Sequence, residues 1–345
     1  MSHLAREIQS QPEMVERLLR REGRRVERIA ARLARRPPRC IFLVARGSSD
    51  NAGLYGKYLF GARNRRVVAL ATPSLFTLYR RPPDLTGCLV LAISQSGASD
   101  DLLQVVAEGR RQGARTLVVT NTRKCPLSAE ADEVLALGAG AERAVAATKT
   151  YTAELAALAM LSVALSGARR DREALMRVPD AMQATLEAGA HLDSAAGRYR
   201  YVEHLSVIGR GYNYATAFEL ALKLKELAYL TAEPASSADF RHGPIAVIEE
   251  GFPVLLVGPA GKTLADVSAL ARELEDRRAE LLVISDRRHL LARARTPLPI
   301  RSGLPEWLSP LVTVLPGQLF AMHLAAARNC PLDTPRGLTK ITRTR

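Results

Sequence analysis

Short runs of apolar residues alternate with amphipathic stretches along most of this 345-residue chain. The run at 89–93 is continuously apolar, which is typical of a strand buried on both faces of a sheet. Apolar residues at 102, 103, 105 and 106 then recur with the spacing of a helix. A parallel sheet covered by helices produces this alternation, so the pattern predicts an α/β fold.

Three of the apolar runs recur at a constant offset of 164 residues. The matching pairs are 41–47 with 205–211, 87–93 with 251–257, and 117–120 with 281–284. Self-similarity at a fixed period indicates repeated structural units. We therefore predict two similar doubly wound, parallel-sheet domains of flavodoxin-like type in tandem.

Prolines and composition divide the chain further. The prolines at 37 and 38 end a helical pattern, and 167–199 lacks the Gly, Ser and Pro runs of a flexible linker. The predicted segments are a helical entry segment at 1–37, a first domain at 38–166, a linking helix at 167–199, a second domain at 200–330 and a basic C-terminal tail at 331–345.

The formal net charge of +14 raises the question of a nucleic-acid partner. The arginines are spread along the chain, no DNA- or RNA-binding motif is present, and aromatic residues make up only 5% of the sequence. We therefore expect solvated helix faces and no nucleic-acid partner. A basic surface of this kind attracts anionic substrates.

Cysteine usage and hydropathy suggest a cytoplasmic protein. The four cysteines (Cys40, Cys88, Cys125 and Cys330) form no C-x-x-C pair, so we expect reduced thiols with neither a disulfide nor a metal site. The N-terminus has no apolar signal segment. The apolar helix predicted at 155–165 is shorter than the roughly 20 residues that span a bilayer, so no membrane partner is expected.

A polar cluster follows the apolar run at the predicted strand-to-helix turn. Residues 94–99, here named the serine loop, contain Ser94, Gln95, Ser96 and Ser99. Hydroxyl donors beside the free N–H groups of a helix start suit a phosphate monoester. The alternative is an ordinary loop with a serine N-cap. The acidic pair at 100–101 counts against phosphate if it points inward.

The second predicted domain carries two candidate acid–base groups. Glu219, Lys223 and Glu226 are spaced i, i+4 and i+7, so they share one face of a helix predicted at 215–230. This face is either the wall of a polar site or a solvated stripe. His242 directly precedes a Gly-Pro turn and is either functional or structural. No complete dinucleotide fingerprint, nucleotide P-loop or H-E-x-x-H motif is present.

Six motifs together resemble the sugar isomerase (SIS) domain family in its tandem form, as in the isomerase half of glutamine–fructose-6-phosphate aminotransferase. The resemblance covers nearly the whole chain. The motifs are R-G-S-S-D-N-A-G at 46–53, S-Q-S-G-A-S at 94–99, A-V-A-A-T-K-T-Y at 144–151, K-L-K-E at 223–226, R-H-G-P at 241–244 and P-R-G-L-T-K at 335–340.

The resemblance implies a role for each of these motifs. Glu226 would transfer a proton between C1 and C2 of the sugar, with Lys223 beside it, His242 would open the pyranose ring, and Lys340 would reach the sugar from the closing tail. The implied phosphate ligands are Ser49, Ser94, Gln95, Ser96 and Ser99, and the implied sugar contacts are Gly47, Val145, Ala147 and Thr148. Asp239 stands where Glu is the more frequent residue, which puts a supporting contact there in doubt.

The chain shows no amidotransferase region and no N-terminal cysteine nucleophile. It therefore most resembles SIS-type glucosamine-6-phosphate deaminases, which would need neither a cofactor nor a metal. The alternatives are a fructosamine-6-phosphate deglycase or a galactosamine-6-phosphate deaminase/isomerase on the same scaffold, and a non-catalytic sugar-phosphate sensor. The resemblance also implies a homodimer with its active site near the subunit interface.

Overall fold

A computed structural model describes residues 1–189 and 192–340, and the chain divides into two compact units. The first-sheet unit comprises Glu13–Glu142, Lys149–Met176 and the described residues from Thr339 onward. The second-sheet unit comprises Met1–Pro12, Arg143–Thr148 and Arg177–Leu338. Each unit is therefore assembled from segments that are separated in the sequence.

The first-sheet unit contains a five-stranded parallel sheet. Its strands are β1 (Cys40–Val44), β2 (Val67–Leu70), β3 (Leu89–Ser94), β4 (Arg115–Thr120) and β5 (Glu133–Ala136). The spatial order is β2-β1-β3-β4-β5, and every residue of the central strand β3 is buried. This is the doubly wound, flavodoxin-like order, with loops at the carboxyl ends of the strands placed to bind ligands.

The second-sheet unit repeats this topology. Its strands are β6 (His204–Gly209), β7 (Thr231–Ser236), β8 (Pro253–Val257), β9 (Glu280–Ser285) and β10 (Thr296–Pro299). They are parallel in the order β7-β6-β8-β9-β10. The strands matched by the 164-residue offset take equivalent places in the two sheets. The predicted tandem α/β fold is confirmed.

Helices flank both sheets. In chain order they are α1 (His3–Gln9), α2 (Gln11–Arg35), α3 (Ser48–Asn64), α4 (Ser74–Thr77), α5 (Asp100–Arg111), α6 (Pro126–Ala129), α7 (Lys149–Ser166), α8 (Arg169–Met176), α9 (Val178–Ala188), α10 (Leu192–Ala196), α11 (Tyr214–Ala228), α12 (Ser237–Arg241), α13 (Leu264–Asp276), α14 (Arg288–Leu291) and α15 (Pro310–Ala327). Short 3₁₀ turns lie at Gly197–Tyr199, Gly211–Asn213, Pro244–Val247 and Glu306–Leu308.

The predicted entry segment consists of two helices that belong to different units. α2 ends at Arg35, just before the two prolines, and its apolar stripe is buried while its arginines at 20, 21, 24 and 28 are exposed. α1 belongs to the second-sheet unit and packs on α15. The predicted linking helix at 167–199 is divided among α8, α9 and α10, and residues 190–191 lie outside the described part of the chain.

The cysteine prediction is wrong at two positions. Cys40 and Cys88 are joined by a disulfide, with their Cα atoms 4.9 Å apart. β1 and β3 are neighbouring parallel strands with Ile41 opposite Leu89. Cys40 and Cys88 directly precede these two residues, so they also face each other. Cys125 is a free thiol, as expected, and so is Cys330.

One helix of the described residues, α15, is long and apolar enough to cross a membrane by length and composition. Most of it is buried within the second-sheet unit, as is typical of the core helix of a globular domain. Within residues 1–189 and 192–340, no cluster of three or more His, Cys, Asp or Glu side chains is arranged to hold a metal ion.

Candidate active site

The serine loop makes a tight turn between β3 and α5. The Ser94 hydroxyl accepts a hydrogen bond from the Gly97 N–H at 3.1 Å, and the Ser96 hydroxyl accepts one from the Ala98 N–H at 3.3 Å. Gly97 has φ +64°, and a Cβ added there would overlap the Cys125 thiol. The loop therefore needs glycine at this position both for its backbone conformation and for space.

Ser99 stands at the N-cap of α5, but its side chain makes no capping hydrogen bond. Its hydroxyl can therefore face a ligand together with the positive end of the helix dipole. The side chains of Gln95 and Ser96 are half-buried beside it. An ordinary capped loop explains the bonds of Ser94 and Ser96 but leaves the Ser99 hydroxyl without a role.

The two aspartates of the first turn of α5 do not form an open acidic face. Asp100 is exposed, whereas Asp101 is buried and lies 2.6 Å from the Arg46 guanidinium. The guanidinium balances the carboxylate charge, which removes the main electrostatic objection to a phosphate at this turn. The same ion pair connects the loop after β1 to the first turn of α5, directly after the serine loop.

The loop after β1 carries the Gly47 and Ser49 positions. Gly47 has φ +56° and precedes the first residue of α3. The Ser49 hydroxyl is buried and donates to the Glu154 carboxylate at 2.7 Å. Its proton is therefore engaged, so a contact of this hydroxyl with phosphate stays a prediction. Burial raises the pKa of the neighbouring Asp50 carboxyl, and Arg46 opposes that shift.

A buried charge cluster lies on α11. The Lys223 ammonium is fully buried, lies 3.4 Å from the Glu219 carboxylate and is hydrogen-bonded to Glu226. Glu219 is also fully buried, whereas the Glu226 side chain is 22% exposed. The interpretation of this face as a solvated stripe is therefore wrong. Glu219 was not among the predicted site residues, although its i−4 spacing from Lys223 was visible in the sequence.

The structure does not bring Glu226 and His242 of one chain together. α11 runs from the carboxyl end of β6 to the amino end of β7, and Glu226 lies two residues before its end. His242 follows the carboxyl end of β7 and the short helix α12. The six residues of β7 separate its two ends by roughly 20 Å. The five-residue helix α12 is only about 8 Å long, so it cannot bring His242 back to the end where Glu226 lies.

The turn that carries His242 is organised by a reciprocal cap. The Ser236 hydroxyl accepts from the Asp239 N–H at 3.1 Å and donates to the Asp239 carboxylate at 2.6 Å. The His242 N–H donates to the Asp239 carbonyl at 3.0 Å. The carboxylate of Asp239 is thus used within its own turn, and the His242 side chain is left exposed before Gly243, which has φ +129°.

The 143–148 segment, which contains three of the predicted sugar contacts, is held by hydrogen bonds within the second-sheet unit. The Arg143 and Ala144 N–H groups donate to the Glu7 carboxylate, and the Val145 N–H donates to the Asp333 carbonyl at 3.0 Å. The other two predicted sugar contacts of this segment are Ala147, which is half-buried, and Thr148, which is buried. Their contact with sugar stays a prediction.

Lys340 in the tail is also held in place. Its ammonium lies 2.9 Å from the Glu142 carboxylate. That carboxylate also accepts from the N–H and the hydroxyl of Thr150, at 3.1 and 2.7 Å. Lys340 is therefore held by an ion pair with a buried carboxylate. The rest of the predicted tail, 341–345, lies outside the described residues.

A cavity of about 260 Å³ in the first-sheet unit is separate from these groups. It is lined by side chains of α2, α7 and α8, among them Leu19, Met160 and Met176. None of the predicted site residues lines it. Its lining is mostly apolar, whereas phosphate recognition needs convergent donors, so it does not change the assignment.

The comparisons with known proteins concern the family and the fold. The SIS domain family matches residues 36–164 and 199–328. Glutamine–fructose-6-phosphate aminotransferase [isomerizing] of Thermococcus kodakarensis is 34% identical over 346 residues, covering 98% of this chain and 57% of that enzyme. The chain thus spans little more than half the length of this curated relative.

Solved structures with the same fold include two from amino-sugar metabolism. The C-terminal domain of glucosamine-fructose-6-phosphate aminotransferase from Francisella tularensis matches with a TM-score of 0.87 and 26% identity, covering 97% of this chain and 98% of that domain. Glucosamine-6-phosphate deaminase from Thermotoga maritima matches with a TM-score of 0.78, covering 99% and 100% of the two chains. At 21% identity, the second match shows the fold alone.

Proposed function

The chain belongs to the SIS domain family, and from that premise we propose that it is an enzyme that converts glucosamine 6-phosphate to fructose 6-phosphate and ammonia. The observation that carries the proposal is the cluster on α11, in which a buried lysine stands between a buried carboxylate and a partly exposed one. This arrangement supplies one carboxylate that can exchange a proton while the lysine charge stays balanced by the other.

Substrate binding is assigned to the serine loop. The phosphate would take hydrogen bonds from the Ser99 hydroxyl, from the hydroxyls of Ser94 and Ser96, and from the N–H groups at the start of α5. Arg46 supports this role because it balances Asp101, the buried carboxylate of that turn. No cofactor enters the proposed reaction.

The proposed chemistry isomerises the open-chain sugar by transferring the C2 proton to C1. His242 assists opening of the pyranose ring as general acid and base. The Glu226 carboxylate removes the proton from C2 and returns it to C1, while the C1 carbonyl oxygen gains a proton and the amino group loses one, so that C1 becomes CH2OH and the C=N bond lies at C2. Water then adds to C2, the C–N bond breaks, and ammonia leaves with fructose 6-phosphate. Lys223 holds the Glu226 carboxylate by a hydrogen bond and Lys340 stabilises developing negative charge on the sugar oxygens.

We infer a homodimer from the placement of two of these groups. Glu226 and His242 lie at opposite ends of β7 in one chain, so their action on one sugar requires His242 from a second copy. Mixed dimers of Glu226→Gln and His242→Ala chains should then contain one intact site and recover part of the activity. Verified mixed dimers without activity would show that each chain builds its own site.

A second candidate function follows from the length of the relatives. The chain covers 57% of the aminotransferase of T. kodakarensis, so its catalytic unit also fits the synthetic direction, in which ammonia delivered by another domain or protein joins fructose 6-phosphate. The two directions share the serine loop and Glu226. They differ in whether the chain releases ammonia or has to be supplied with it.

One assay separates the candidates. The purified chain is incubated with glucosamine 6-phosphate while ammonia and fructose 6-phosphate are measured, and with fructose 6-phosphate plus ammonium while glucosamine 6-phosphate is measured. Galactosamine 6-phosphate and fructosamine 6-phosphates test the alternative deaminase and the deglycase. Glu226→Gln is the matched control. Binding of the sugar phosphates without turnover in any of these reactions would identify a sensor and overturn the proposal.

A further inference from the structure

The second-sheet unit contains a loop that corresponds to the serine loop in the internal repeat. The offset of 164 residues carries 94–99 onto 258–263, which joins β8 to α13. β3 and β8 occupy the same position in the two sheets. In both repeats a helix of at least twelve residues begins directly after the loop. We name residues 258–263 the glycine loop.

The glycine loop keeps part of the chemistry of the serine loop. Gly261 stands at the position of Gly97, and Thr263 at the position of Ser99. The other two serines of the serine loop are replaced by residues without a hydroxyl group. The second repeat therefore retains the backbone turn and one hydroxyl at the helix start.

An anionic group already occupies this loop. The Glu306 carboxylate accepts from the Lys262 N–H at 2.8 Å, from the Thr263 N–H at 3.2 Å and from the Thr263 hydroxyl at 2.7 Å. A Cβ added at Gly261 would overlap the same carboxyl group. The next residue, Trp307, is buried, so the carboxylate is attached to a fixed part of the fold.

The corresponding glutamate of the first repeat is used differently. Glu142 precedes Glu306 by the same 164 residues. Its carboxylate is bound to Thr150 and to the Lys340 ammonium, as described above. The two repeats thus share a glutamate at one sequence position, and in the second repeat its carboxylate lies on the loop that follows β8.

We propose that the glycine loop is a second anion-binding site whose resident anion is the Glu306 carboxylate, so that each chain binds one phosphate group and not two. Two backbone N–H groups and a hydroxyl are the donors that hold phosphate oxygens at a helix start. A carboxylate fixed in place has a high effective concentration and excludes free anions. Removing it opens a site for inorganic phosphate or a phosphate monoester.

Charges of both signs flank the loop. The Lys262 side chain is exposed and adds positive charge beside the two donors. Another N–H of the loop, that of Ala260, is taken by the Asp286 carboxylate at 2.8 Å, and Asp286 in turn pairs with Arg287 at 3.5 Å. A phosphate would therefore take over the three donors that now bind the Glu306 carboxylate, and the Asp286 contact would stay unchanged.

Titration calorimetry with inorganic phosphate at low salt tests the proposal. The parent is the Ser96→Ala/Ser99→Ala chain, in which the serine loop has lost two of its three serine hydroxyls, and binding is counted relative to this parent. We expect Glu306→Ala in this background to gain one phosphate equivalent per chain, and the further change Thr263→Val to weaken that binding by about tenfold. Glu250→Ala removes an exposed carboxylate that pairs with Arg278, and it controls for the change in net charge.

The readout is phosphate binding and not turnover, so it stands apart from the proposed reaction. A folded Glu306→Ala chain that binds no more phosphate than its parent overturns the proposal, and so does an equal gain in Glu250→Ala. If Glu306→Ala does not fold, Glu306→Gln takes its place. Its neutral amide should admit phosphate in part, and an unchanged stoichiometry in that folded variant would also overturn the proposal.

Discussion

The buried charge cluster on α11 allows a specific prediction, because neutralising each of its three side chains should change the stability and the activity of the chain differently. Lys223 and Glu219 are fully buried 3.4 Å apart, and Glu226 is 22% exposed. At an effective dielectric constant of about 20, the gross attraction of the buried pair is roughly 5 kcal/mol, and it offsets a desolvation cost of several kcal/mol for each ion.

Lys223→Met removes the cation and leaves a buried carboxylate without its counter-ion. We expect it to lower the free energy of unfolding by about 3–5 kcal/mol. Glu226→Gln leaves Lys223 beside Glu219, so the cost should be under about 1 kcal/mol while the rate falls by about 10² or more. The double variant Lys223→Met/Glu219→Leu, which removes both buried charges, should recover most of the lost stability.

Urea unfolding followed by circular dichroism measures the three stabilities, and ammonia release measures the rate. The reasoning is refuted if Lys223→Met unfolds at the same urea concentration as the parent, because the ion pair would then contribute nothing. It is also refuted if Glu226→Gln destabilises the chain as much as Lys223→Met does. In that case Glu226, and not Glu219, would be the structural counter-ion.

Three further predictions concern other parts of the fold. Gly97→Ala should weaken phosphate-monoester binding by about tenfold in calorimetry. The added Cβ would overlap Cys125, and the left-handed backbone disfavours alanine by about 1–2 kcal/mol. Gly113→Ala is the control, because Gly113 also has a positive φ but lies in open space. Arg46→Met should cost about 1–3 kcal/mol in urea unfolding, since it removes the guanidinium that balances the buried Asp101 carboxylate, and Asp101→Asn in the same chain should restore part of that stability. Burial raises the pKa of Tyr199 to about 12. The unfolded tyrosine ionises near pH 10, so the stability that Tyr199 contributes is present below pH 10 and falls by about 1.4 kcal/mol at pH 11. Tyr199→Phe should therefore be less stable than the parent at pH 8 and should match it near pH 11; an unchanged difference between the two would contradict this.

The central strands and the serine loop could be predicted because their signal is local. β3 is buried at every position, so the sequence there is continuously apolar, and the loop chemistry follows it directly. The edge strand β2 has only four residues and alternates between exposed and half-buried positions. A strand that short carries too little periodicity to be recognised in a single sequence.

The features that the sequence did not predict depend on tertiary packing. Spacing put Glu219 and Lys223 on one helix face, but the burial of this face depends on how α11 packs against the neighbouring elements β6, β7 and α15. Cys40 and Cys88 are 48 residues apart, and their pairing depends on the register of β1 against β3. The separation of Glu226 from His242 follows from the direction of β7, which spacing along the chain does not reveal.

The position of α1 has a consequence for synthesis of the chain. The Leu4 N–H donates to the Asp333 carboxylate at 2.8 Å. Just after α1, the Gln11 side-chain amide donates to the Gln318 side-chain carbonyl, also at 2.8 Å. These partners leave the ribosome more than 300 residues after the helix does. Leu4 and Ile8, fully buried in the folded chain, therefore stay uncovered until these later residues have been made. Helix α1 is thus made long before the residues that cover it, which gives chaperones and proteases a long interval in which to bind it.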